Sequence, residues 1–212
     1  MEMNFHIVIP ARKGSKGYPE KNRHLLDHTI KSIPEEYMDR VIVTTNDEEI
    51  INKINETQSK CKIHRRSEES AIDTASTKEC LEEVIDKFEL KSDIIMLYLT
   101  YPERKWIDVI EAYEWFKGCS AKSMLCREEL DTHPYLCLYD IEDNKGKQLV
   151  EHDLYRRQDY PKCFKISHMI SIFNVNELKN LNMNLYNTDT VYYKIDSSLD
   201  VDYIEDMENL DD

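Results

Sequence analysis

The stretch IVIPARKGSKGYPEKNR, Ile7–Arg23, sets how the chain begins to fold. Phe5–Pro10 (FHIVIP) is short and rich in β-branched residues, which predicts a strand buried on both faces, as in a parallel sheet. Behind it come Gly14 and Gly17, two of only four glycines in the 212 residues. Arg12, Lys13, Lys16, Lys21 and Arg23 surround them against a single acid, Glu20, although the whole chain carries a formal charge of -14. A strand that runs into a glycine turn exposes consecutive backbone N–H groups, which suit a phosphate. Lysine and arginine beside such a turn add charge-assisted hydrogen bonds. The spacing is neither a Walker A motif nor GxGxxG, and a solvated basic loop is the plain alternative.

The rest of the chain repeats the strand-then-helix alternation. Arg40–Thr45 (RVIVTT) and Ile94–Thr100 (IIMLYLT) are further apolar runs of strand length. Ser76 and Glu79 form a capping-box pattern, and Leu81, Val84, Ile85 and Phe88 follow on one helical face. Trp106, Ile110, Tyr113 and Phe116 fall at helical spacing, with Gly118 as the expected C-cap. Asn46 is the expected N-cap of a helix over NDEEIINKIN. Alternation of this kind predicts an α/β fold with a mainly parallel sheet. From Cys126 to Lys165 the pattern changes to an antiparallel excursion, with a turn signal at Asp143–Gly146. MISIFNV and VYYKI then read as strands. No linker or repeat divides residues 1–212, so one domain is expected.

Composition narrows the class of partner. A net charge of -14 repels polyanions, which argues against nucleic acid or an anionic membrane. No apolar run approaches membrane-spanning length, and MEMNFH lacks a basic start before an apolar stretch, so a cytoplasmic protein is expected. The six cysteines show no CxxC pair, which predicts free, mostly buried thiols. The seven histidines show no HxH or HExxH spacing.

A second constellation lies near the far end. Asp200 and Asp202 flank Val201, and in an extended chain residues two apart point to one side, where both carboxylates can meet a hard cation. Eight acids and no base lie between Asp196 and Asp212, so a solvated acidic tail is the alternative.

IPARKGSKGYPEKN resembles the N-terminal signature of the CMP-sugar synthetases, the acylneuraminate cytidylyltransferases and, more distantly, the cytidylyltransferase for Kdo. Arg12, Ser15, Lys16, Gly17, Pro19, Lys21 and Asn22 fall in register with it. DHTIKS, DRVIVTTND, RSEESAIDTAST (with Arg66 seven residues before Asp73), LTYPERKWIDV and SLDVDYIEDMEN resemble further blocks in the family's order. The resemblance implies a three-layer α/β/α Rossmann-like nucleotide-diphospho-sugar transferase fold, with residues 126–165 as an inserted dimerisation arm and a homodimer as the assembly. It implies a nucleotidyltransferase that moves CMP from CTP to a sialic-acid-like or other 2-keto sugar acid, with release of pyrophosphate. Arg12, Lys21 and Asp202 would be catalytic. Arg12, Ser15, Lys16, Lys21 and Asn22 would hold the triphosphate side, and Arg66, Ala75 and Thr77 the cytidine. Asp200 and Asp202 would bind Mg²⁺.

The departures fall on the sugar side. Tyr98 stands where the family has glutamine, Leu136 where it has a lysine, and Ser171 where it has a tyrosine. Arg157 matches a carboxylate partner. Tyr98, Arg157 and Ser171 are therefore the expected acceptor contacts, and the acceptor itself stays open. A non-catalytic CTP-binding or assembly protein, or transfer to a different acceptor, are the competing readings.

Overall fold

The computed structural model describes residues 3–57, 59–72 and 74–210. Strand β1 (Phe5–Pro10) matches the sequence reading, and β2 covers Val41–Thr45. They are followed by β3 (Lys62–Arg65), β4 (Asp93–Met96), β5 (Ser123–Glu129), β6 (Leu138–Ile141), β7 (Lys145–Gln148), β8 (Phe164–Asn174) and β9 (Val191–Lys194). The helices are α1 (Lys21–Ser32), α2 (Glu48–Glu56), α3 (Glu68–Ala71), α4 (Thr77–Phe88) and α5 (Trp106–Gly118).

Seven strands form one sheet in the order β3-β2-β1-β4-β8-β5-β9, and only β8 runs against its neighbours. The sheet is mainly parallel, as the buried apolar runs imply. Alternate residues of each strand feed two cores. Ile7, Ile9, Val43 and Ile95 meet α1, α2 and α5 on one face, through Leu25, Ile50 and Val109 among others. Val8, Ile42, Ile94 and Met96 meet Leu81 and Val84 of α4 on the other. The result is three layers, helix–sheet–helix. Full burial of each such aliphatic side chain contributes roughly 1.5–3 kcal/mol.

Chain order reverses beside β1, with β2 to one side and β4 to the other. The carboxyl ends of strands at such a switch point leave a crevice, the usual ligand position in open α/β sheets. The basic loop leaves β1 at this end.

Several local expectations are corrected. Asp47, not Asn46, caps α2 by accepting the Glu49 N–H at 3.1 Å, whereas Asn46 Oδ1 accepts the Lys13 N–H at 2.8 Å. Gly118 is the last helical residue of α5, and Cys119, with a right-handed φ of -77°, caps it. The ladder of β4 stops at Met96, although Leu97 and Leu99 stay buried. The excursion begins later and ends earlier than 126–165, because Cys126–Glu129 and Phe164–Lys165 pair within the main sheet. Its own antiparallel hairpin, β6–β7, turns at Asp143 and Asn144, both with positive φ. Among the described cysteines, all are free, but only Cys80 and Cys126 are buried.

Candidate active site

The basic loop folds back on itself through its own backbone. Gly14 takes φ +86°, a conformation that glycine adopts without strain. Asn22 Nδ2 donates to the Arg12 carbonyl at 2.7 Å and closes the turn. Arg12, Ser15 and Asn22 thereby line one small hollow of about 200 Å³, together with Gly14 and Arg23. Lys16 is exposed and does not line the hollow.

Helix α1 starts inside this site in an unusual way. Its N-cap, Glu20, is left-handed at φ 57° and makes no side-chain cap, and the first turn holds no acid. Instead Lys21 and Arg23 stand there. Cations at a helix N-terminus oppose the macrodipole, so this arrangement costs helix stability and favours an anion. Arg23 is held by two hydrogen bonds to Asp47, at 2.7 and 2.9 Å. Asp47 is buried, which pushes its carboxyl up, but the bonds from Arg23 and the Glu49 N–H outweigh this and hold it below the usual range.

The acidic pair comes from the other end of the chain to the same place. Val201 N–H donates to the Thr100 carbonyl at 2.8 Å, pinning the segment to the chain just beyond β4. Val201 is fully buried, so Asp200 and Asp202 project the other way, into solvent. Lys21 Nζ donates to the Val201 carbonyl at 2.8 Å and to Asp202 Oδ1 at 3.0 Å. Asp200 Oδ2 accepts the Tyr101 hydroxyl at 2.8 Å, and burial with that negative neighbour raises the phenol far above its ordinary value. Gly17 lies directly under this segment: a Cβ built on it would sit 2.7 Å from the Asp202 carbonyl. Asp206 accepts the N–H groups of Tyr203 and Asp202, both at 2.8 Å, and so shapes the turn after the pair.

The donor set suits a hard divalent cation. Asp200 Oδ1 and Asp202 Oδ2 have no hydrogen bond among the described residues. No group of three or more His, Cys, Asp or Glu among those residues could hold a metal unaided. Two carboxylates completed by substrate oxygens is the ordinary Mg²⁺ arrangement.

The third wall is the start of α4. Arg66 follows β3, with its N–H on the Thr45 carbonyl at 3.0 Å and its Nε buried without a partner among the described residues. Thr77 opens α4, where Ser76 and Glu79 make the expected capping box. Thr77 Oγ1 accepts the Tyr98 hydroxyl at 3.1 Å, and half-buried Ala75 lies just before the cap. Asp73, the other mark of this block, lies outside the described residues.

The expected acceptor contacts are scattered. Tyr98 sits against Thr77 rather than open to the crevice, and burial raises its phenol. Ser171 is buried in β8 opposite Met96, its Oγ without a partner among the described residues. Arg157 is exposed in a short 3₁₀ turn of the excursion and is not brought to the others within one chain.

Two residues escaped the sequence reading. Arg104 is 4% exposed, and its Nη1 donates to the Tyr98 carbonyl at 3.0 Å and the Met169 carbonyl at 2.8 Å. It ties the end of β4 to β8 where that strand bulges: Met124 pairs with Ile172 but Cys126 with Ser167. Bulges commonly re-aim side chains beside functional sites. In this bulge the His168 and Tyr98 rings meet edge to face, and His168 Nδ1 is buried without a partner among the described residues. Beside it opens a cavity of about 780 Å³, bordered by Tyr101, Arg104, Met169, Ser198 and Leu199. Nothing in the local pattern around Arg104 or His168 announces partners so far away in sequence.

A switch-point crevice with a cation-rich glycine loop on one wall and a carboxylate pair on the other defines a Rossmann-like α/β/α domain built to receive an anion. The chain belongs to the cytidylyltransferase family, whose sequence profile matches residues 6–211. It is 28% identical over 211 residues to the N-acylneuraminate cytidylyltransferase of Streptococcus agalactiae serotype V, covering 94% of this chain and 51% of that protein. It is 27% identical over 168 residues to the pseudaminic acid cytidylyltransferase of Campylobacter jejuni, covering 74% of this chain and 72% of that protein. The chain thus spans about half the length of the N-acylneuraminate relatives. Among solved structures, CMP:2-keto-3-deoxy-manno-octonic acid synthetase complexed with CTP aligns at TM-score 0.68 and 16% identity, covering 98% of this chain and 96% of that one. That likeness establishes the fold. No helix among the described residues is long and apolar enough to cross a membrane.

Proposed function

We propose that the protein is a cytoplasmic, Mg²⁺-dependent cytidylyltransferase that moves CMP from CTP to an acidic sugar of the sialic-acid-like or 2-keto type. The observation that carries the reading is the meeting of the glycine loop with the aspartate segment, Lys21 against Asp202 and Gly17 beneath it. A phosphate cradle and a metal-type carboxylate pair on the same few ångströms of surface match the needs of phosphoryl-type transfer.

In this reading the acceptor hydroxyl oxygen bonds to the α-phosphorus of CTP, the bond from that phosphorus to the bridging oxygen breaks, and pyrophosphate departs. The hydroxyl proton is lost to solvent or a carboxylate. Arg12, Lys21 and the N–H groups of the loop hold the triphosphate and meet the charge that grows on the leaving group. Ser15, Lys16 and Asn22 orient the chain of phosphates. Arg66, Ala75 and Thr77 contact cytidine. Asp200 and Asp202 would hold Mg²⁺, which when bound lowers the charge repulsion around the phosphorus. Tyr98 and Ser171 back the acceptor side from the interior without facing it openly, and Arg157 would reach it from a second copy in a homodimer built through the excursion.

The test is pyrophosphate release from CTP and Mg²⁺ with a panel of acidic sugars, including N-acetylneuraminate, pseudaminic acid and Kdo. Release with at least one of them is expected. Tight CTP binding with no release on any acceptor would instead support a non-catalytic binder.

A further inference from the structure

The turn that carries Arg66 into the site has its main anchor on a different element. Ser67 Oγ donates to Glu83 Oε1 at 2.5 Å, and Ser70 Oγ donates to Glu83 Oε2 at 2.8 Å. The Ser67 N–H also points at Oε2, at 3.4 Å. Ser67 Oγ in turn accepts the Ser70 N–H at 3.0 Å, capping α3. Helix α3 is only four residues long, too short to hold itself together. Its place therefore depends on Glu83. Helix α4, which carries Glu83, is firm: it has a complete capping box and buries Cys80, Leu81 and Val84.

Both ends of the anchored turn face the proposed nucleotide. At one end is Arg66, with its Nε buried and without a partner among the described residues. At the other, the Ala71 carbonyl accepts from Arg12 Nη1 at 3.5 Å, joining the turn to the phosphate loop. Burial pushes the Glu83 carboxyl up, but the hydrogen bonds from Ser67 and Ser70 outweigh it and hold the group ionised below the usual range. An ionised carboxylate with three inward donors is a rigid post.

We propose that Glu83 is a positioning residue for CTP, fixing the Ser67–Ala71 turn so that Arg66 and the Arg12-bound end face the nucleotide. The inference rests on the CTP reading above. It makes a prediction opposite in sign to simple electrostatics. Removing a carboxylate from a chain of charge -14 should favour an anionic ligand. Loss of positioning should weaken its binding.

Titration calorimetry with CTP and Mg²⁺ decides between them, on the wild type, Glu83→Ala, Glu83→Gln, Ser70→Ala and the double variant Glu83→Ala/Ser70→Ala. Glu83→Ala is expected to bind CTP about tenfold more weakly, the order of one lost hydrogen-bonding anchor. Glu83→Gln, which keeps the shape and one acceptor oxygen, should recover most of the loss. Ser70→Ala should add little in the Glu83→Ala background, because the two act as one unit. CTP binding by Glu83→Ala as tight as, or tighter than, the wild type overturns the proposal. If that variant does not fold, Ser70→Ala carries the test: weaker CTP binding is expected, and wild-type affinity overturns the proposal. A wild-type protein that binds no CTP refutes the CTP reading itself, and the inference with it.

Discussion

Lys21 and Asp202 lie 181 positions apart in the chain, and the Lys21 ammonium meets Asp202 Oδ1 at 3.0 Å while also holding the Val201 carbonyl. Asp202 keeps 67% of its side chain exposed, so screening by water leaves the pair little weight in overall stability. Its consequence is local. The first helix and the acidic segment are fastened to each other across the crevice.

If Asp202 holds the proposed Mg²⁺, the effect of changing it depends on the metal. Asp202→Asn removes a negative charge next to the proposed triphosphate site and releases Lys21 from its partner. Without a divalent ion, under EDTA, the variant should bind CTP at least as tightly as the wild type. With Mg²⁺ present it should bind more weakly, because one of two carboxylate ligands is lost. Calorimetry under both conditions checks this, and a variant weakened equally in both would count against the metal role.

Gly17 and Gly14 should respond differently to alanine. At Gly17 a Cβ meets the Asp202 carbonyl at 2.7 Å and the Tyr203 ring at 3.2 Å, so the acidic segment must move. At Gly14 a Cβ meets nothing within 4 Å, and the cost is the strain of φ +86° alone, about 1 kcal/mol. Gly17→Ala is therefore expected to impair Mg²⁺-dependent CTP binding far more than Gly14→Ala at similar melting temperature. Equal binding by the two variants would contradict the close approach.

The sequence was most informative where local chemistry decides structure. The β-branched run Phe5–Pro10 is β1 residue for residue, and the Ser76–Glu79 box opens α4 as its spacing implies. Apolar pattern reports burial rather than pairing, which is why the run Ile94–Thr100 outlasts β4: Leu97 stays buried after the ladder ends. Asn46 and Asp47 are adjacent and equally good caps, so only the position of Lys13 separates them. Neither Arg104 nor Glu83 could be found this way. Arg104 bonds Met169 and Thr29, 65 and 75 positions off, and Glu83 bonds Ser67, 16 positions off, and a charged side chain on a mixed segment gives no sign of such partners.

Arg104 should matter more to folding than its distance from the phosphate loop suggests. Burial lowers its guanidinium to about 10, which still leaves it charged at neutral pH. Arg104→Met would strand the Tyr98 and Met169 carbonyls in the interior, at a cost of roughly 2–4 kcal/mol. For a chain of this size that corresponds to a melting temperature lower by about 5–15 °C. Arg104→Lys should recover only part of the loss, since one ammonium can meet the two carbonyls that Nη1 holds but not also the Thr29 hydroxyl that Nη2 reaches at 3.4 Å. A thermal shift under 2 °C for Arg104→Met, on the scale of about 1 kcal/mol or less, would refute the clamp.

Mild acid should destabilise the fold through its histidines. Burial lowers His6, His64 and His168 below the ordinary imidazole value. Above the unfolded value, about 6.5, both states are neutral and nothing is lost. As pH falls below it, the unfolded chain takes up protons that the native chain refuses, and stability declines until the lowered native values are passed. Asp47, Glu83 and Glu128 are held down instead, so their contribution is lost only below the carboxylate range. Melting temperature should therefore already fall between pH 7 and 5, and His64→Asn, which has no proton to gain, should flatten the slope. A flat wild-type profile over that interval would refute the assignment.

The excursion carries the remaining prediction. Every residue of β6 and β7 is exposed, and a two-stranded hairpin alone is marginal in water. Leu138, Tyr139 and Ile141 nevertheless sit on it, and Tyr155 nearby is 94% exposed. The base of the excursion is kept in shape by its own rings, with Tyr135 stacked on His152 at 4.2 Å and His133 against Tyr160 at 5.0 Å. A pre-shaped element with an uncovered apolar tip fits a second copy, consistent with the proposed homodimer. Tyr139→Glu with Tyr155→Glu should place charge on that tip without touching the main sheet. Sedimentation should then show the wild type as a dimer and the double variant as a monomer of nearly unchanged melting temperature. A wild type that sediments as a monomer, or a variant that keeps the dimer mass, removes the excursion from the assembly.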